Sequence, residues 1–117
     1  MKKNLRKNTR NKVWPGTEAI LSVRNMNKIN TIAASKTKAY VDNLSGTGVF
    51  VTTSEPIDVK TQVDIKIDFQ PGHFPPNVIH ATGVVMRRED RGLAIRFDNI
   101  DTRKLGDCIM AKINSMT

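Results

Sequence analysis

Two clusters of residues in this chain have side chains suited to holding a phosphate-bearing ligand. The first is Arg6-Lys7-Asn8-Thr9-Arg10, in which two arginines stand four residues apart. That spacing puts both side chains on one side, whether the segment is helical or extended. Guanidinium groups bind phosphate through paired, charge-assisted hydrogen bonds and also stack on flat bases. Arg6 and Arg10 together therefore suit a phosphate diester or a guanine, with Lys7 between them as a further cation. The second cluster is Asn43-Leu44-Ser45-Gly46-Thr47-Gly48. If a strand continues through it, Asn43 and Ser45 share one face and Leu44 points the opposite way, into a core. An amide and a hydroxyl so placed can bond a base edge or a phosphate oxygen. Gly46 and Gly48 are expected to adopt positive φ and to let the backbone come close to a ligand. Each cluster alone has a plainer reading. Arginine pairs arise by chance in basic tails, and Asn, Ser and Gly favour ordinary turns.

The charge distribution points the same way as the first cluster. The 117 residues carry a net charge of +8. Lys2, Lys3, Arg6, Lys7, Arg10 and Lys12 all precede the first acid, Glu18. The rest of the chain is close to neutral, so the anion-attracting part is residues 1–12, read as a flexible basic arm. Residues 13–117 form the body, long enough for one domain. No apolar run approaches the ~20 residues needed to span a bilayer. No apolar stretch follows the basic N-terminus, so no secretory signal and a cytoplasmic location are expected. A single cysteine, Cys108, excludes an internal disulfide and supplies no zinc set.

The elements that must position these clusters are short strands. Trp14-Pro15-Gly16 punctuates the entry to the body. Thr17 to Val23 is apolar enough for a first strand, and Asn25 to Lys28 reads as a turn. Ile29 to Asp42 holds a second strand, with an unclear period around Ala33-Ala34-Ser35. Val49-Phe50-Val51 begins another after the glycine-containing cluster. From Val63 to Phe69, apolar residues alternate with Asp64, Lys66 and Asp68, the period of a half-buried strand. Gln70 to Asn77 holds three prolines and a glycine and is a loop. Val78 to Met86 and Leu93 to Phe97 are two more strands, with Arg87 to Gly92 as the connection. Leu105, Cys108, Ile109, Lys112 and Ile113 then fall on one side of a helix that Asp101 or Thr102 could cap. Several short strands and one helix in so small a chain predict a barrel or sandwich, and a barrel removes exposed edges.

Taken together, the two clusters resemble the signatures of the PilZ domain family, Arg-x-x-x-Arg followed later by Asp/Asn-x-Ser-x-x-Gly. Gly83-Val84-Val85-Met86-Arg87 and Gly92-Leu93-Ala94-Ile95-Arg96-Phe97 resemble the family's late hairpin, and the terminal helix resembles its closing helix. The resemblance covers roughly residues 5–115. It implies an all-β fold, a small antiparallel six-stranded split β-barrel with a C-terminal helix and a flexible N-terminal arm. It implies a receptor for cyclic di-GMP that changes conformation and signals to a downstream protein, not an enzyme, with no cofactor. Arg6 and Arg10 would hold the phosphates and guanines, and Asn43, Ser45 and Gly48 would contact the ligand from the barrel. Lys7, Gly46 and Trp14 are secondary candidates. The interval from Arg10 to Asn43 is somewhat long. Where many members carry a further arginine this chain has Leu5, which favours one ligand molecule over a stacked pair.

Other polar residues carry weaker readings. Trp14 is better placed to pack at the domain entrance than to stack on a guanine. His73 and His80 fall in different elements with no cysteine near, so no metal site is expected. Asp64 and Asp68 read as solvated charge, and Arg87, Arg88 and Arg91 as a solvated hairpin. No Ser/His/Asp or Cys/His set and no paired carboxylates suggest catalysis. Two alternatives remain. One is a ligand-independent PilZ-like adaptor, against which the presence of Arg6 and Arg10 counts. The other is a basic-armed nucleic-acid-binding β-barrel. Aromatic residues make up only 5% of the chain and the body is nearly neutral, which argues against an extended polynucleotide groove.

Overall fold

Alternation of apolar and polar residues builds the body of this computed structural model, which describes residues 16–23 and 36–115. Six strands result: β1 (Glu18–Val23), β2 (Lys36–Leu44), β3 (Gly48–Thr52), β4 (Gln62–Asp68), β5 (Val78–Glu89) and β6 (Gly92–Asn99). All pairings are antiparallel, and the order β1-β2-β3-β6-β5-β4 closes on itself because β4 also pairs with β1. The expected six-stranded barrel is therefore present, with no free strand edge among these elements. The alternation in β4 gives the clearest sequence-to-core link. Val63, Ile65 and Ile67 point inward, continued by Phe69, and all four are essentially inaccessible. Leu21, Ala39, Val51, Ile79, Val85 and Leu93 meet them from the other strands. Burying one such side chain contributes about 1.5–3 kcal/mol, which makes this interior the main stabilising element.

The helix α1 (Thr102–Ser115) lies across one mouth of the barrel. Asp101 caps it, accepting a hydrogen bond from the Lys104 amide at 3.1 Å. Leu105 and Cys108 reach into the core from its inner face, whereas Ile113, expected on that face, is 37% exposed. Lys112, one residue earlier, takes the inward position of that turn and bonds the Phe69 carbonyl, which leaves Ile113 turned aside. Polar contacts pin the helix to the loop after β4. The half-buried Asn77 donates to the Cys108 carbonyl and to Gln70 Oε1, both at 3.0 Å. Gln70 Nε2 donates to Ser115 Oγ at 2.8 Å, and the buried Lys112 ammonium donates to the Phe69 carbonyl at 2.9 Å.

Two sequence expectations need correction here. The connection placed at Arg87 to Gly92 is much shorter, because β5 runs on to Glu89 and β6 starts at Gly92. Only Asp90 and Arg91 form the turn. The charged residues read as a loop because their side chains are exposed, but backbone pairing continues through Arg87↔Ala94, Arg88↔Leu93 and Glu89↔Gly92. Nor does either glycine of the second cluster take positive φ; among described glycines only Gly16 and Gly72 do so. The turn Asn25 to Lys28 and the segment Ile29 to Ser35 lie outside the described residues. Among the described residues no helix is long and apolar enough to cross a membrane.

Candidate ligand-binding groove

A bulge in β2 decides which way the second cluster faces. Ala39 and Val41 are buried, so strict alternation would turn Asn43 inward as well. Instead the pairing steps from Val41↔Val51 to Asn43↔Phe50, leaving Asp42 as an extra residue. Such an insertion reverses the phase of everything that follows it. Asn43 consequently faces out, Leu44 is buried in the core, and Ser45 is exposed beyond it. This is the arrangement expected from the sequence, although the bulge that produces it was not foreseen.

The turn from β2 into β3 is held tightly. The Ser45 amide donates to the Gly48 carbonyl at 2.9 Å, and the Thr47 amide to Ser45 Oγ at 3.2 Å. The Ser45 and Thr47 hydroxyls lie 3.0 Å apart, and the Phe97 amide bonds the Thr47 carbonyl at 2.9 Å. Ser45 thus stabilises its own turn and keeps either one lone pair or its proton for a ligand, depending on which hydroxyl donates in the Ser45–Thr47 bond. Gly48 is required for a reason internal to the sheet. A Cβ there would stand 2.5 Å from the Ile95 carbonyl oxygen, so β3 and β6 approach each other too closely for a side chain. Gly46 has no such neighbour, its nearest contact being Thr102 Cγ2 at 3.8 Å.

Asn43, Ser45 and Gly48 line a groove of about 820 Å³ on the outer face of β2, β3, β6 and β5. That size is typical of small-ligand sites. The register sets its floor and walls. One row across the sheet runs Asn43, Phe50, Ala94, Arg87, and the next runs Gly48, Arg96, Val84. The half-buried Phe50 ring, with Ala94 and Met86, forms an apolar floor. Asp42, Asn43, Ser45 and Thr47 give one wall rich in oxygen acceptors. Arg87, Glu89 and Arg91 approach from the β5–β6 hairpin, and Arg96 projects from β6 beside Gly48. The groove can therefore offer stacking, base-edge hydrogen bonds and anion binding together.

Arg87 and Arg91, solvated hairpin residues by sequence alone, line the groove together with Phe50 and Arg96, which no sequence pattern marks as site residues. Arg88, by contrast, lies outside it. The missing information was that β3 pairs with β6, a neighbour more than forty residues away in sequence. Arg6, Arg10, Leu5, Lys7 and Trp14 lie outside the described residues. His73 and His80 sit apart, the first with Nδ1 3.2 Å from the Pro75 carbonyl and the second on β5 opposite Lys66.

Comparison with known proteins agrees with the fold. No curated protein is similar enough in sequence to match this one. The family model described as the PilZ domain matches residues 4–111, nearly the whole chain and both sequence clusters. The chain belongs to the PilZ family of cyclic di-GMP-binding domains.

Proposed function

We propose that this protein is a cyclic di-GMP receptor that reports the ligand to a partner protein through its N-terminal segment. The observation that carries the reading is the outward placement of Asn43 and Ser45 in a groove with an apolar floor, in a chain whose family binds this ligand. In this reading Asn43 and Ser45 engage a guanine edge, and Phe50 supports the flat of a base. Arg6 and Arg10 close over the phosphates from the N-terminal side, and Gly48 keeps the two central strands close. One ligand molecule binds per domain, because Leu5 offers no guanidinium to hold a second.

Signalling follows from the place of Arg6 and Arg10 in a segment that precedes the barrel in sequence. Drawing that segment onto the groove changes the surface a partner meets. Fixing a segment of chain on a ligand costs about 1–2 kcal/mol per residue. Charge-assisted hydrogen bonds return about 1.5–3 kcal/mol each. These opposing terms point to a moderate affinity, near micromolar (about 8 kcal/mol), rather than a picomolar one.

Calorimetric titration of cyclic di-GMP into the wild type and into Arg10→Ala, with GTP as control, tests this. Saturable one-to-one binding is expected, weakened at least ~10-fold in the variant (~1.4 kcal/mol). Absence of heat and of any thermal shift with the wild type would overturn the receptor reading in favour of a ligand-independent adaptor.

A further inference from the structure

Four arginines lie on the β5–β6 hairpin and its strands, and their surroundings divide them into two classes. Arg87 Nε donates to Glu89 Oε2 at 2.6 Å, and Arg88 donates to Asp58 Oδ1 at 3.1 Å. Both are committed to carboxylates. Arg91 and Arg96 have no ion-pair partner among the described residues, although Glu89, Asp90 and Asp98 are close to them in sequence. Both line the groove that contains Asn43 and Ser45. Arg96 stands in register between Gly48, which has no side chain, and Val84, which has no polar one, so neither cross-strand neighbour occupies its guanidinium.

We propose that Arg91, in the hairpin turn, and Arg96, level with Gly48 further along β6, form a two-point phosphate clamp carried by the barrel itself, each meeting the ligand from the β6 side of the groove. The inference rests on the receptor reading above and deepens it. A guanidinium fork matches two oxygens of a phosphate, and an uncommitted one gives up no protein contact when it binds. The clamp also gives the groove a direction. The acceptor oxygens of Asp42, Asn43 and Ser45 lie on the β2 wall; on the other side the Glu89 carboxylate is taken by Arg87, and the uncommitted donors lie toward β6 and the hairpin turn. A base edge rich in N–H donors, such as guanine, turns to the first side, and the anionic backbone turns to the second. The barrel thus contributes to phosphate binding in addition to the arginines at the chain's N-terminal end.

The test uses the full chain with Arg91→Gln, Arg96→Gln and the double variant, and Arg88→Gln as the control outside the groove. Cyclic di-GMP is titrated at low and high salt. The double variant should bind at least tenfold more weakly and lose part of the salt dependence, because screening acts on the charges removed. Its melting temperature should match wild type, since both side chains are exposed. If the wild type binds and the double variant binds equally well, the clamp is wrong and the receptor reading survives. An equal loss in Arg88→Gln would also overturn the clamp. If the wild type does not bind cyclic di-GMP, the receptor reading falls, and inorganic pyrophosphate followed through the arginine Nε–H resonances decides the clamp. Shifts at Arg91 and Arg96 but not Arg88 support it, and no shift, or an equal one at Arg88, rejects it.

Discussion

Replacing Gly48 by alanine should damage this protein through its sheet, even though the residue borders the ligand groove. The added methyl would stand 2.5 Å from the Ile95 carbonyl oxygen and 3.5 Å from Arg96 Cα. A carbon–oxygen contact across strands normally falls at about 3.3–3.6 Å. The β3 and β6 backbones must therefore part by roughly 0.8 Å at this register, enough to stretch ladder bonds of about 2.9 Å beyond useful length. The obstacle is the β6 backbone at Ile95 and Arg96, so no side chain can swing away to relieve it. Overpacking of this kind costs about 1–3 kcal/mol. Each hydrogen bond weakened beside it adds about 1 kcal/mol, with the Thr47 carbonyl to Phe97 amide bond the nearest candidate. A total near ~3 kcal/mol lowers the melting temperature by at least ~10 °C in a domain of this size. Gly46→Ala is the control. Its nearest neighbour lies at 3.8 Å and its φ is ordinary, so it should change stability by less than ~0.5 kcal/mol. Circular dichroism during heating and urea unfolding measures both. Equal stability of Gly48→Ala and wild type, or equal damage from the two variants, would refute the argument.

Three further predictions concern the helix and its docking. Asn77→Ala removes two donated hydrogen bonds, to the Cys108 carbonyl and Gln70 Oε1, and should cost about 2 kcal/mol in urea unfolding; an unchanged midpoint would contradict the pinning role. Burial pushes the Cys108 thiol above its usual pKa, so it should react slowly with a disulfide reagent in the native state. The rate should rise in Asn77→Ala, where the helix is less firmly held. Burial also lowers the pKa of Lys112. The unfolded chain then binds this proton more tightly than the folded one, so the penalty is complete at neutral pH. It is relieved as pH rises through the lowered folded value toward 10.5. The stability of wild type relative to Lys112→Met should accordingly improve with rising pH across that window, and a flat difference in urea midpoints would count against it.

How far the sequence reveals this molecule differs from element to element. β4 was legible because Val63, Ile65 and Ile67 alternate with polar residues over a full strand, and α1 because Leu105, Cys108 and Lys112 recur at helical spacing. The outward placement of Asn43 and Ser45 followed from Leu44 being the one residue there fit for a core. The Asp42 bulge was not legible, since Tyr40 and Asp42 look like any outward pair and the change of phase depends on pairing with β3. The length of the hairpin strands is hidden for a related reason. Arg87, Arg88 and Glu89 have loop-like composition, yet β6 supplies backbone partners for them. The arginine side of the groove was hidden most completely. Arg96 meets Gly48 only through strand order, and no local pattern encodes that β3 lies beside β6.

The most direct test of the central claim is an amide-resolved NMR titration of the full chain with cyclic di-GMP. The amides of Asn43, Ser45, Gly48 and Arg96 should shift saturably and together. Those of Ser22, Lys66 and His80, on the far side of the barrel at β1, β4 and β5, should stay in place. Shifts confined to that far side, or none at any ligand concentration, would contradict the account.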